Sequence, residues 1–191
     1  RWIGSTTMGW GSFSIRSAGN RVFVFWDTLL QWVDPKNNAI KIEARDAYSG
    51  VLLWDRYYPF PEKERTRPIA VGDRIYMLSG KYVIGVDATD GRVLATYKGC
   101  ETPYDAVVSD GVVVCATTRT LYGLEMKSGK RLWTRKKSYL GHLWYEWKDV
   151  FVIDGLVWTY GPEIKKQKGK HRSSWPAALN GYDLKTGEVK K

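Results

Sequence analysis

Apolar and polar residues alternate along this chain with period two, or run continuously for about five residues, and do not recur at the three-and-four spacing of an amphipathic helix. The pattern predicts strands. Four segments share one form: "IKIEARDAYSGVLLWDRYY", "KYVIGVDATDGRVLATYKG", "TLYGLEMKSGKRLWTRKK" and "LNGYDLKTGEVKK". Each reads as an alternating strand, a short polar turn ending in glycine, and a second strand. The turn glycines are Gly50, Gly91, Gly129 and Gly187, spaced 41, 38 and 58 residues apart. A turn residue at positive φ carries a steric penalty for anything with a Cβ, which is why glycine ends each turn.

Upstream of each unit lies a second hairpin signal, at Gly19-Asn20, Gly72-Asp73, Asp110-Gly111 and Asp154-Gly155, flanking apolar runs such as "RVFVFW", "RIYML", "VVVCAT" and "LVWTY". Four strands per repeat follow, with a period of about 40 residues, which is the signature of β-propeller blades. In the third blade the strands are expected over Tyr104 to Ser109, Val112 to Thr117, Leu121 to Glu125 and Arg131 to Arg135. The fold class is all-β: a propeller of four-stranded antiparallel blades over residues 11–58, 67–98, 104–136 and 147–191, in one propeller region spanning 1–191. The first and fourth blades carry insertions between their second and third strands, "DTLLQWVDPKNNA" and "PEIKKQKGKHRSSWPAA". Insertions at one structural position emerge on one face of a repeat architecture, often the binding face.

Composition supports this reading and adds little chemistry. The chain has 191 residues, 43% hydrophobic and 26% charged, the balance of a globular protein. Its 10 Trp and 12 Tyr favour strands over helices. No apolar run approaches the roughly 20 residues of a membrane-crossing helix, so no transmembrane segment is expected. The net charge of +10 fits either an acidic partner or a basic solvated surface. Cys100 and Cys115 lack any Cys-x-x-Cys spacing; a single bridge between them and a pair of small buried thiols are both compatible with the sequence.

The strings "ARDAYSGVLLW", "VDATDGRVLATY", "LEMKSGKRLW" and "YDLKTGEV" resemble the repeat of the pyrroloquinoline-quinone-like (quinoprotein-like) β-propeller family, of bacterial and more loosely planctomycete type. In that family a turn of the form Asp-Ala-x-(Thr/Ser)-Gly is followed by Leu-Trp, and the Trp docks against the neighbouring blade. Trp54 and Trp133 occupy this position, whereas the second blade has Ala95-Thr96 and the fourth ends in Val189 and two lysines. The family's propellers commonly have seven or eight blades, so the resemblance implies that four blades form part or half of such a ring.

The resemblance also raises quinone-dependent dehydrogenation, which needs a quinone cofactor, Ca²⁺ held by carboxylate and amide oxygens, a catalytic Asp and, in many members, adjacent cysteines. No Cys-Cys pair occurs, and Asp46, Asp87 and Asp183 are repeat positions expected to hydrogen-bond turn backbone. His142 and His171 lie at no recognised metal-ligand spacing. The residues argue against enzymatic activity in this chain: no catalytic residue, metal or cofactor is assigned, and pyrroloquinoline quinone and Ca²⁺ enter only under the alternative.

The most distinctive local feature is the basic stretch containing Lys165, Lys166, Lys168, Lys170, His171 and Arg172, followed by Trp175. It fits a loop that docks anions or an acidic partner through charge and stacking, and equally a solvated loop. The aromatic run Trp144-Tyr145-Glu146-Trp147 fits inter-blade packing or a ligand shelf. The function expected is a non-catalytic propeller scaffold for protein binding or assembly in the bacterial cell envelope, periplasmic or otherwise exported. Its partner would be a protein or a second copy that completes a propeller. The alternatives are a fragment of a quinoprotein oxidoreductase, or an anion-binding module for nucleic acid or acidic polysaccharide.

Overall fold

The computed structural model describes residues 13–27, 39–59, 67–117, 119–136, 150–161 and 178–190. These residues form fifteen strands and no helix, and the chain divides into two compact units, Arg1–Tyr97 and Lys98–Lys191.

The first unit holds two four-stranded antiparallel sheets, each in simple up-and-down order. One comprises β1 (Phe13–Ala18), β2 (Arg21–Asp27), β3 (Ala39–Asp46) and β4 (Leu52–Pro59); the other β5 (Ile69–Val71), β6 (Arg74–Ser79), β7 (Tyr82–Asp87) and β8 (Val93–Tyr97). The second unit holds β9 (Asp105–Ser109), β10 (Val112–Ala116), β11 (Thr120–Glu125) and β12 (Arg131–Lys136) in one sheet. Its other sheet has β13 (Val150–Ile153), β14 (Leu156–Gly161) and β15 (Ala178–Asp183). In that last sheet a fourth strand is represented, among the described residues, by the single bridge between Tyr182 and Val189. Up-and-down order within four-stranded sheets is the topology of a propeller blade.

Local chemistry explains the hairpins. Gly19 and Asn20, with φ of 55° and 59°, both take the left-handed conformation between β1 and β2. Two successive positive-φ residues give the turn whose twist matches that of its flanking strands. The turn between the third and fourth strands is different and recurs four times. Gly50 N–H donates to the Asp46 carbonyl at 2.9 Å, Gly91 to Asp87 at 2.9 Å, Gly129 to Glu125 at 2.8 Å and Gly187 to Asp183 at 2.7 Å. The two turn types of each blade are tied together at one end: Ala47 N–H reaches the Asn20 carbonyl at 3.0 Å, and Leu184 N–H reaches that of Gly155 at 2.9 Å.

Packing then follows from the pleat. In β3, Ile42 and Ala44 point inward with Phe23, Phe25 and Trp54 and meet Ile75, Met77 and Val86 of the second sheet, so the first unit's core lies between its two blades. The second unit repeats this with Val112, Val114, Leu121 and Trp133 against Val157, Tyr182 and Leu184. Each fully buried side chain of this size contributes roughly 1.5–3 kcal/mol.

Candidate functional site

The repeat residues singled out in the sequence converge on one arrangement in each unit. Opposite the strand position that follows the turn, every blade carries a small residue. Ala44 pairs with Trp54, Gly85 with Ala95 and Gly123 with Trp133, in each case at a shift in strand register; Gly181 holds the corresponding place in the last blade. A Cβ built on Gly123 would lie 2.2 Å from the Trp133 ring, so the indole rests on bare backbone.

The other side of each indole meets the next blade. The Trp54 Nε1–H donates to the Ala88 carbonyl at 3.1 Å, and the Trp133 Nε1–H to the Leu184 carbonyl at 2.9 Å. Gly91 closes over Trp54 and Gly187 over Trp133, each at a distance where a Cβ would fall within 2.9 and 2.7 Å of ring carbons. The carbonyl of that closing glycine is satisfied by a different group in each unit. Tyr58 Oη donates to Gly91 at 2.5 Å, whereas Arg135 Nε donates to Gly187 at 2.5 Å. Burial pushes the Tyr58 phenol well up, so it is a hydrogen-bond donor at any ordinary pH. Gly50 and Gly129 end the corresponding turns in the first and third blades, at φ of 72° and 70°.

In the second blade Ala95 stands where an indole would lie, and the space over Gly85 is filled instead by Tyr97 and Tyr76. Ring atoms of both come within 3.6 Å of the Cβ position, and the two rings lie 6.3 Å apart. Tyr97 is fully buried. The small residue two places before each turn acid was the available sequence signal for this seat, visible in "EARD", "GVD", "GLE" and "GYD", and the repeat reading passed over it.

The repeat aspartates are committed to their turns. Asp46 Oδ1 accepts from Ser49 N–H at 2.7 Å, Asp87 Oδ1 from Thr89 N–H at 2.7 Å and Asp183 Oδ1 from Thr186 N–H at 2.8 Å. These backbone donors hold all three carboxyls below the usual carboxylate range. Glu43 lies away from the unit's core, 2.9 Å from Lys41 and 2.9 Å from Arg45, with Asp55 3.1 Å from Lys41. Among the described residues no three His, Cys, Asp or Glu side chains gather as a metal site.

Lys165, Lys166, Lys168, Lys170, His171, Arg172 and Trp175 lie outside the described residues, as do His142 and the run from Trp144 to Trp147. What is placed is where the two insertions leave and return. Residues 28–38 connect β2 to β3, and residues 162–177 connect β14 to β15, the same position in each blade. At the end of the last blade from which 162–177 depart, Thr159 and its cross-strand neighbour Asn180 are buried polar residues. Cys100 and Cys115 are free and buried.

No family model matches this sequence, and neither does any curated protein. The fold does match solved structures. A europium-containing methanol dehydrogenase aligns with a TM-score of 0.59 and 13% identity, over 94% of this chain and 42% of that one. The quinohemoprotein alcohol dehydrogenase of Comamonas testosteroni aligns with a TM-score of 0.50 and 12% identity, over 81% of this chain and 33% of that one. The chain thus spans less than half the length of the structures it matches, and at these identities the likeness is one of fold. The chain is all-β and built of propeller blades, the fold it shares with these structures.

Proposed function

We propose that this chain is a segment of a larger quinoprotein-type oxidoreductase propeller, in which its blades form structural wall and other blades supply the ligands of the quinone and its metal. The observation that carries this reading is the alignment of 94% of the chain with only 42% of a methanol dehydrogenase. The commitment of Asp46, Asp87 and Asp183 to turn backbone supports placing the cofactor ligands elsewhere. On this reading residues 1–191 are one propeller region, part of a seven- or eight-bladed ring, bacterial and periplasmic or otherwise exported as in the family the repeat resembles.

The test is tryptophan fluorescence during titration with pyrroloquinoline quinone plus Ca²⁺ or Eu³⁺. The four-blade chain alone is expected to take up neither, and a propeller that includes the remaining repeats is expected to bind both and to oxidise an alcohol. Tight uptake by the four blades alone would overturn the placement of the ligands.

The second reading is a non-catalytic scaffold for protein binding or assembly in the cell envelope. It is favoured by the exposed Leu52 and Leu53 on β4 and Val93 and Leu94 on β8, apolar pairs on the last strand of two successive blades. A complete propeller that binds neither quinone nor metal would select it. The anion-binding reading rests on the Lys165 to Arg172 sequence. It requires affinity for a polyanion that falls steeply with salt and is lost when those lysines become alanine.

A further inference from the structure

Cys100 and Cys115 are the chain's two cysteines, and both are buried free thiols, 2% and 0% exposed. Cys115 lies in the interior strand β10, paired with Ala106 of β9 and Tyr122 of β11, so its backbone is held on both sides. Val112, Val114 and Ala116 of that strand face the core against the last blade, and the alternation of the pleat turns Cys115 to the opposite face of the sheet. Cys100 comes to that face from residues 98–104, an irregular segment pinned on either side of it. Gly99 packs so closely on Leu124 that a Cβ would lie 2.7 Å from its Cδ2, and the Gly99 carbonyl accepts from Arg131 Nη2 at 2.9 Å. On the far side, Tyr104 N–H donates to the Ala116 carbonyl at 2.9 Å. Between these anchors the thiols of Cys100 and Cys115 share a hydrogen bond.

We propose that Cys100 and Cys115 form a dithiol site that a small-molecule disulfide oxidises to an intramolecular cystine, fastening residues 98–104 to β10. The Cys100 thiolate attacks the small disulfide, forms a mixed disulfide and releases one thiolate. The Cys115 thiolate then attacks the Cys100 sulfur, closes the protein S–S bond and expels the second thiolate. Two protein thiols are oxidised, one small disulfide is reduced to two thiols, and the two protons pass to the released thiolates. The order follows from the structure: Cys100 lies in residues 98–104, outside any strand, whereas Cys115 is held in the sheet by partner strands on both sides. The hydrogen bond with Cys100 and complete burial both push the Cys115 thiol up, so it reacts only after Cys100 has brought a disulfide to it.

Incubation of the folded chain with oxidised glutathione, followed by acid quench, alkylation and peptide mapping by mass spectrometry, tests this. Both thiols are expected to disappear together, with one Cys100–Cys115 cross-linked peptide pair, the loss of two hydrogen masses and no lasting glutathione adduct. A Cys115→Ser chain should instead accumulate glutathione on Cys100, and a Cys100→Ser chain should leave Cys115 unmodified while folded. Stable glutathione adducts in the unaltered protein, or two alkylatable thiols after equilibration, overturn the assignment. The unaltered protein decides the matter even if a variant misfolds.

Discussion

The indole Nε1 of Trp133 donates to the Leu184 carbonyl at 2.9 Å, joining residues 51 positions apart in sequence. The same bond links Trp54 to Ala88 at 3.1 Å in the other unit. In both cases the acceptor follows the acid that opens the next blade's turn, and the ring lies between a small residue of its own blade and a glycine of the next. One side chain thereby contributes apolar burial, satisfies a turn carbonyl and sets the distance between two sheets.

Replacing Trp133 separates these contributions. Trp133→Phe keeps most of the buried ring and removes the donor, leaving the Leu184 carbonyl unpaired at a cost of about 1–3 kcal/mol. Trp133→Ala also empties the seat over Gly123 and should cost roughly 3–5 kcal/mol. Urea denaturation followed by circular dichroism measures both, and equal losses for the two variants would refute the division.

Two glycines at positive φ provide an internal control for the closure over the ring. Gly111 has φ of 77° and open space where a Cβ would be, while Gly187 has φ of 67° and would place its Cβ 2.7 Å from Trp133. Gly111→Ala should therefore cost only the backbone penalty, about 1–2 kcal/mol. Gly187→Ala should cost a further 1–3 kcal/mol or so for the displaced indole. Comparable midpoints for the two variants in denaturant would count against contact between that turn and the ring.

The second blade makes the opposite prediction. Because Tyr97 and Tyr76 occupy the space over Gly85, Ala95→Trp should destabilise the first unit by about 1–3 kcal/mol rather than restore a missing contact. Combining it with Tyr97→Ala should make the two changes less costly together than their sum, an interaction a double-mutant cycle reads directly. Simple additivity would show that the two side chains do not compete for one seat.

Acid should loosen the turns. Asp46, Asp87 and Asp183 have carboxyls lowered in the folded chain from an ordinary value of 3.8, so each contributes stability above that pH. The contribution declines as pH falls below about 4 and is gone once the folded-state values have been passed. Thermal melts between neutral pH and pH 2 should show this decline, and Asp183→Asn should flatten it in part while lowering stability at neutral pH. A melting temperature indifferent to pH in that window would refute the assignment.

The hairpins were legible in the sequence because their causes are local. In Asp46 to Gly50 the acid, the hydroxyl residue and the glycine that close the turn lie within five positions, and the flanking alternation assigns each face. The third blade shows how closely this works: strands expected over Tyr104 to Ser109 and Arg131 to Arg135 are found at Asp105–Ser109 and Arg131–Lys136. The basic segment from Lys165 to Trp175 was singled out by its charge, and it lies outside the described residues.

By itself, then, the sequence determined the strands and the turns, since each depends on residues close together along the chain, and the family resemblance implied that Trp54 and Trp133 dock. Tertiary structure alone decided what those indoles touch, that Tyr97 fills the seat Ala95 leaves open, and that Cys100 meets Cys115. Each of those contacts depends on how one packed surface meets another, and a repeat pattern predicts that surfaces will pack without specifying which atoms will face one another.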